Sequence, residues 1–88
     1  MSYEWDQAKN RANVAKHGVD FADAVAVFED DFALTRPDLD SRSENRSVIL
    51  GIDAFGRHLV AVFTERGTRI RIISARLATK QERKSYEG

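Results

Sequence analysis

The sequence has no cysteine, which excludes disulfides, thiolate metal sites and a cysteine nucleophile. It has a single proline, Pro37, and five glycines that form neither a phosphate-cradling loop nor a G-x-S-x-G nucleophile elbow. No His, Cys and Asp fall at metal-ligand spacing, so the sequence predicts neither a metal nor a cofactor. No apolar run approaches the roughly 20 residues that span a bilayer. The polar opening MSYEWDQAKN lacks the apolar segment of a secretory signal. Together these absences predict a cytoplasmic protein with no membrane contact.

What is present is ordinary for a globular chain: 42% hydrophobic and 32% charged residues over 88 positions. That length predicts one domain, residues 1–88, with a small core. The net charge of zero hides an asymmetry. Residues 1–53 carry 6 basic and 11 acidic side chains, whereas residues 54–88 carry 8 basic and 3 acidic ones. Such a split favours phosphates or an acidic partner on one face, although solvated surface charge accounts for it equally well.

Tyr3-Glu4-Trp5 reads as a brief strand. Asp6 then caps a helix over residues 7–17, where Ala8, Ala12, Val14 and Ala15 make a weak apolar stripe. Lys16 and His17 suit the negative end of that helix, and Gly18 supplies its left-handed stop. Asp20 caps a second helix, whose Phe21, Ala24, Val25 and Phe28 fall at i, i+3, i+4 and i+7. The acidic run Glu29-Asp30-Asp31 reads as a solvated turn, residues 32–35 as a short strand, and the polar residues 36–45 as the longest and most mobile loop. A meander follows, with strands over 47–52, 58–64 and 69–75; the middle one is apolar on both faces and hence central. Thr79-Lys80-Gln81-Glu82 fits a capping box opening a short helix over 80–87. The order β-α-α-β-β-β-β-α predicts an α+β fold: an antiparallel sheet with two N-terminal helices packed on it and a short C-terminal helix.

Residues 64–86 concentrate the chemistry. Arg66, Arg69, Arg71, Arg76, Lys80 and Arg83 lie there or close by, able to meet a polyanion. Alternation sends Arg69 and Arg71 to the face opposite Ile70 and Ile72, about 7 Å apart, where two guanidinium forks can bracket a phosphodiester. Edge protection by charge is the competing explanation. Arg76 falls just beyond the predicted strand, at an element boundary. Tyr86 is either a phenolic donor or an aromatic that seats the last helix. Glu65 is the best-placed carboxylate for proton transfer, or half of a surface pair with Arg66. His17 reads as a helix terminator and His58 opens the central strand; an acid–base pair of the two has no sequence support. RNA is a suitable substrate for such a set, because its own 2′-hydroxyl can attack the adjacent phosphate. The protein then has to orient the backbone, stabilise charge and move protons.

Several stretches carry a family resemblance. Tyr3-Glu4-Trp5-Asp6 with Lys9 and Asn13, Lys16-His17-Gly18-Val19 with Phe21, and Val27-Phe28-Glu29-Asp30 resemble the first half of BrnT-type toxins. Thr64-Glu65-Arg66, Arg69-Ile70-Arg71-Ile72-Ile73-Ser74-Ala75-Arg76, and Ala78-Thr79 with Glu82-Arg83 and Tyr86 resemble the second half. The resemblance implies a RelE-like fold and a metal-independent endoribonuclease toxin of a type II toxin–antitoxin module that inhibits translation. It implies RNA as substrate and, as partner, a BrnA-type ribbon-helix-helix antitoxin in a hetero-oligomer that binds operator DNA through the antitoxin. Catalytic roles carry over to Arg76, Tyr86 and Glu65, and RNA contacts to Arg66, Arg69, Arg71, Lys80 and Arg83. Lys16 and His17 have no assured counterpart in that chemistry. The alternative is a non-catalytic module whose basic face docks an acidic partner or serves a DNA-binding antitoxin as corepressor.

Overall fold

The computed structural model describes residues 1–39 and 45–88. Its elements are β1 (Ser2–Glu4), α1 (Gln7–His17), α2 (Phe21–Ala24), a 3-10 helix (Val25–Glu29), β2 (Leu34–Pro37), β3 (Arg46–Ile52), β4 (His58–Arg66), β5 (Arg69–Leu77) and α3 (Lys80–Glu87). The helix boundaries follow local chemistry. The Asp6 carboxylate accepts from Lys9 N, the Asp20 carboxylate accepts from Ala22 N, and Gly18 closes α1 at φ 69°. Thr79 and Glu82 form the expected capping box at α3. The second helix departs from expectation. It is α-helical for four residues and continues as a 3-10 helix for five, which turns Val27 as well as Phe21 and Ala24 into the core.

The five strands form one sheet in the order β1-β5-β4-β3-β2, with β4 central as predicted. The sheet is mixed rather than antiparallel. β1 lies parallel to β5, pairing Ser2 with Arg69 and Glu4 with Arg71 across the whole length of the chain. β2 runs later than predicted and takes in Arg36 and Pro37, so the expected loop is shorter; its centre, residues 40–44, and the mobility expected of it lie outside the described residues.

One face of the sheet packs against α1, α2 and the 3-10 helix through Val19, Phe21, Ala24, Val27, Ile49, Leu59, Ala61, Phe63, Ile70, Ile72 and Ala75. Asn13 joins the two layers. Its amide nitrogen donates to Val19 O and Ala75 O at 2.8 Å each, and its oxygen accepts from Ala75 N at 3.1 Å. β1 stops at Glu4, opposite Arg71, so the Asn13 side chain meets the β5 backbone at Ala75 in the manner of a further strand residue. The other face carries a smaller cluster of Val48, Leu50 and Val60, against which pack Val62 of β4, Ala78 and, from α3, Tyr86. That second face is where the basic residues gather.

Candidate nucleic-acid interface

Residues opposite one another on paired strands share a face, and successive residues alternate. Val48 therefore places Val62 and Arg36 on the α3 face, and Leu50 places Val60 and Leu34 there. Arg46 stands opposite Thr64, Thr64 opposite Arg71, and Arg71 opposite Glu4. Val60 stands opposite Arg76, and Arg66 opposite Arg69. Six arginines, Arg36, Arg46, Arg66, Arg69, Arg71 and Arg76, thus occupy one face around Val48, Val62 and Thr64. The Thr64 Oγ1 between Arg46 and Arg71 is buried and has no hydrogen-bond partner among the described residues.

A bulge makes this set possible. Phe63 pairs with Ile72 but Val62 pairs with Ser74, so Ile73 is an extra residue on β5. Strict alternation would put Arg76 with Ile70 and Ile72, in the core. The bulge resets the phase, so Ala75 turns to the core and Arg76 to the arginine face. β5 also continues to Leu77, which places Arg76 within the strand instead of after it.

Several of these charges already have partners. Arg71 donates to Glu4 Oε2 at 2.8 Å, and Arg69 Nε lies 3.3 Å from Glu4 Oε1 as an ion pair without hydrogen-bond alignment. Arg76 grips Glu82 with both ends of its fork, NH1 to Oε1 at 2.8 Å and NH2 to Oε2 at 2.9 Å. Glu82 Oε1 also accepts from Thr79 N at 2.8 Å. These bonds, with Arg76 first, hold the Glu82 carboxyl at a pKa of about 2. The same contact raises the Arg76 guanidinium above its ordinary value. Among the described residues, Arg46 and Arg66 have no ion-pair partner.

Tyr86 seats α3. Its hydroxyl donates to Asp30 Oδ2 at 2.6 Å, and its ring meets His58 edge-on at 5.1 Å between centroids. The hydrogen bond to Asp30 pushes the phenol up to about 12. Asp30 is therefore more than part of a solvated turn. It also accepts from Phe32 N at 3.0 Å and Ile52 N at 2.9 Å, gathering the end of the 3-10 helix, β3 and α3 at one carboxylate. Burial alone would raise its pKa, but the Tyr86 hydroxyl and the two backbone donors outweigh burial and lower it. Gly51 permits this approach, since a Cβ there would lie 3.0 Å from Val27 Cγ1 and 3.2 Å from Asp30 Oδ2.

The sequence-predicted residues therefore divide. Arg66, Arg69, Arg71 and Arg76 come together. Glu65 pairs with Ile70, a core residue, and so lies on the opposite face from Arg71 and Arg76. Lys80 lies in the first turn of α3, whereas Arg83 borders a groove with Arg57 and His58 at the far end of the sheet. His17 stays at the end of α1. Arg36 and Arg46 escaped the sequence reading because both were placed outside strands. The available signal was alternation: each lies two residues from an apolar neighbour of the same face, Leu34 and Val48. Asp30 left no local signal, because its partner Tyr86 is 56 residues away. Among the described residues, no three His, Cys, Asp or Glu are arranged to hold a metal ion.

Residues 5–82 match the family described as the ribonuclease toxin, BrnT, of type II toxin–antitoxin systems. The chain belongs to the BrnT family. The 1.1 Å crystal structure of the Brucella abortus ribonuclease toxin BrnT is similar to it over 91% of this chain and 99% of that one. The identity between them is 29% and the TM-score 0.75. No match was found among curated protein sequences. The fold of the described residues, α+β with three α-helices and a five-stranded mixed sheet, is similar to that of the toxin. No helix among the described residues is long and apolar enough to cross a membrane.

Proposed function

We propose that this BrnT-family chain acts in the cytoplasm, as a single domain, as a metal-independent endoribonuclease toxin that inhibits translation. The observation that carries the reading is the register-assembled face of six arginines, Arg36, Arg46, Arg66, Arg69, Arg71 and Arg76. A single RNA strand laid across it meets guanidinium forks suited to successive phosphates. The 2′-hydroxyl of one nucleotide attacks its own 3′-phosphate. The O2′–P bond forms, the P–O5′ bond breaks, and a 2′,3′-cyclic phosphate and a 5′-hydroxyl result. Arg71 and Arg76 stabilise the extra charge on the phosphorane-like transition state. The proton leaving the 2′-hydroxyl passes to solvent water, because Glu82, the carboxylate that Arg76 grips, is held at a pKa of about 2 and is too weak a base. Tyr86 can protonate the 5′ oxygen only after its hydroxyl leaves Asp30. A BrnA-type ribbon-helix-helix antitoxin would neutralise the toxin by covering this face, in a hetero-oligomer that reaches operator DNA through the antitoxin.

The pairing of Arg76 with Glu82 and of Tyr86 with Asp30 favours a second reading: a non-catalytic module whose remaining arginines dock an acidic partner, as a corepressor would. Incubation of purified protein with RNA at low salt separates the two. The nuclease reading predicts cyclic-phosphate ends and a loss of about 100-fold or more in rate for Arg76→Ala, the cost of removing one preorganised charge-stabilising donor. Equal rates for wild type and variant, or intact RNA with both, would favour the binding module.

A further inference from the structure

Between α3 and the β2–β3 edge lies a groove of about 260 Å³ that adjoins the arginine face. It is lined by the apolar Leu34, Val48, Leu50 and Val60, by Thr35, Arg36 and Glu82, and by the exposed Ser85 at its mouth. Pockets for drug-sized ligands run from roughly 300 to 1,000 Å³, so this one suits something smaller. Nucleic-acid bases stack on guanidinium planes as well as on aromatic rings, and here Arg36 stands beside aliphatic side chains that can bury the rest of a base. The groove also opens beside Arg76, because Glu82 in its lining is the residue that Arg76 grips. A base entering it would belong to a strand whose phosphates lie on the arginine face.

We infer that this groove takes one nucleobase of a bound RNA strand and that Glu82 reads the base's exocyclic amino group. The inference rests on the reading of the arginine face as an RNA interface. A carboxylate offers about four lone-pair sites. Glu82 uses three of them, two on Oε1 for Arg76 and Thr79 N and one on Oε2 for Arg76, which leaves one on Oε2. With its pKa held at about 2, Glu82 is ionised at neutral pH and so can accept hydrogen bonds but not donate them. Cytosine and adenine each present an amino group to such an acceptor. Uracil presents a carbonyl oxygen where cytosine has its amino group, and two acceptors repel. The groove therefore selects cytosine or adenine over uracil.

The test uses 2′-O-methyl hexanucleotides of cytosine, adenine and uracil, which lack the hydroxyl needed for self-cleavage, and reads binding by fluorescence anisotropy. Wild type should bind the cytosine and adenine oligomers about five- to tenfold more tightly than the uracil one, the scale of one hydrogen bond to a charged acceptor open to solvent. Glu82→Gln should bring the ratio close to one, since an amide donates as readily as it accepts. Ser85→Trp, at an exposed position of α3, should also bring it close to one by closing the mouth, with salt-dependent binding retained. Equal binding of all three oligomers by wild type, or an unchanged ratio in Ser85→Trp, would overturn the base groove and leave the arginine face standing. Failure of wild type to bind any oligomer at low salt would overturn both.

Discussion

Arg76 and Glu82 hold each other through two bonds at 2.8 and 2.9 Å, and that pair makes α3 sensitive to acid. The Glu82 pKa is depressed from 4.5 to about 2 in the folded chain. A depressed carboxyl contributes stability above its unfolded value and loses it as pH falls through its folded value. The window is therefore about pH 4.5 down to about 2. The Arg76 side chain is 40% exposed, so solvent screening cuts the contribution to about 1 kcal/mol. Chemical denaturation of wild type should show this additional loss across the window, and Glu82→Gln should not. Asn13 gives a larger effect of a different kind. Its amide satisfies both the N–H and the C=O of Ala75 and the C=O of Val19, all in buried surroundings. Asn13→Ala leaves those groups without partners and should cost about 2–4 kcal/mol by urea unfolding, with no change in the slope of the transition.

At the scale of elements, α3 is lightly anchored. It buries no residue fully and is held by its capping box, the Arg76–Glu82 pair and the Tyr86–Asp30 hydrogen bond. Tyr86→Phe removes the last of these while keeping the ring against His58. Amide exchange in α3 should then speed up several-fold while the core strand β4 keeps its protection. Equal exchange in both proteins would mean that the hydroxyl contributes nothing to docking the helix.

Elements with local causes were legible in the sequence. The Asp6 cap, the Gly18 stop and the Thr79/Glu82 box each involve residues within four positions of one another, and all three stand where they were expected. Central β4 was also legible, from a run apolar on both faces. What escaped depends on distant pairing. β1 lies parallel to β5, 67 residues away, and nothing within Ser2–Glu4 encodes that choice. The extra residue Ile73 has no sequence signature either, being an isoleucine in an isoleucine-rich strand. Yet it decides that Arg76 leaves the core side. The 3-10 continuation after Ala24 was hidden because Val25 and Phe28 fit an α-helical stripe just as well.

Over the whole molecule the two halves of the sequence do not map onto two faces. Arg36 and Arg46 come from the acidic first half and join the arginine face, while Glu4 from the same half pairs with Arg69 and Arg71. Sheet register, not position along the chain, sorts the charge. The layers are unequal as well. The α1–α2 side carries the larger core, whereas the α3 side leaves much of its sheet face uncovered by helix. A chain of zero net charge can thus present a basic surface, because the compensating acids lie elsewhere or are already paired.

In the proposed RNA complex, Arg36 and Arg46, placed by register beside the predicted arginines, contact phosphates. The salt dependence of affinity for a 2′-O-methyl oligonucleotide tests this most directly. For single strands the slope of log affinity against log salt is about −0.7 per neutralised phosphate. The double variant Arg36→Ala/Arg46→Ala should flatten the wild-type slope by about 1.4, whereas Arg11→Ala, on α1 in the opposite layer, should leave it unaltered. A double variant with the wild-type slope would contradict the account.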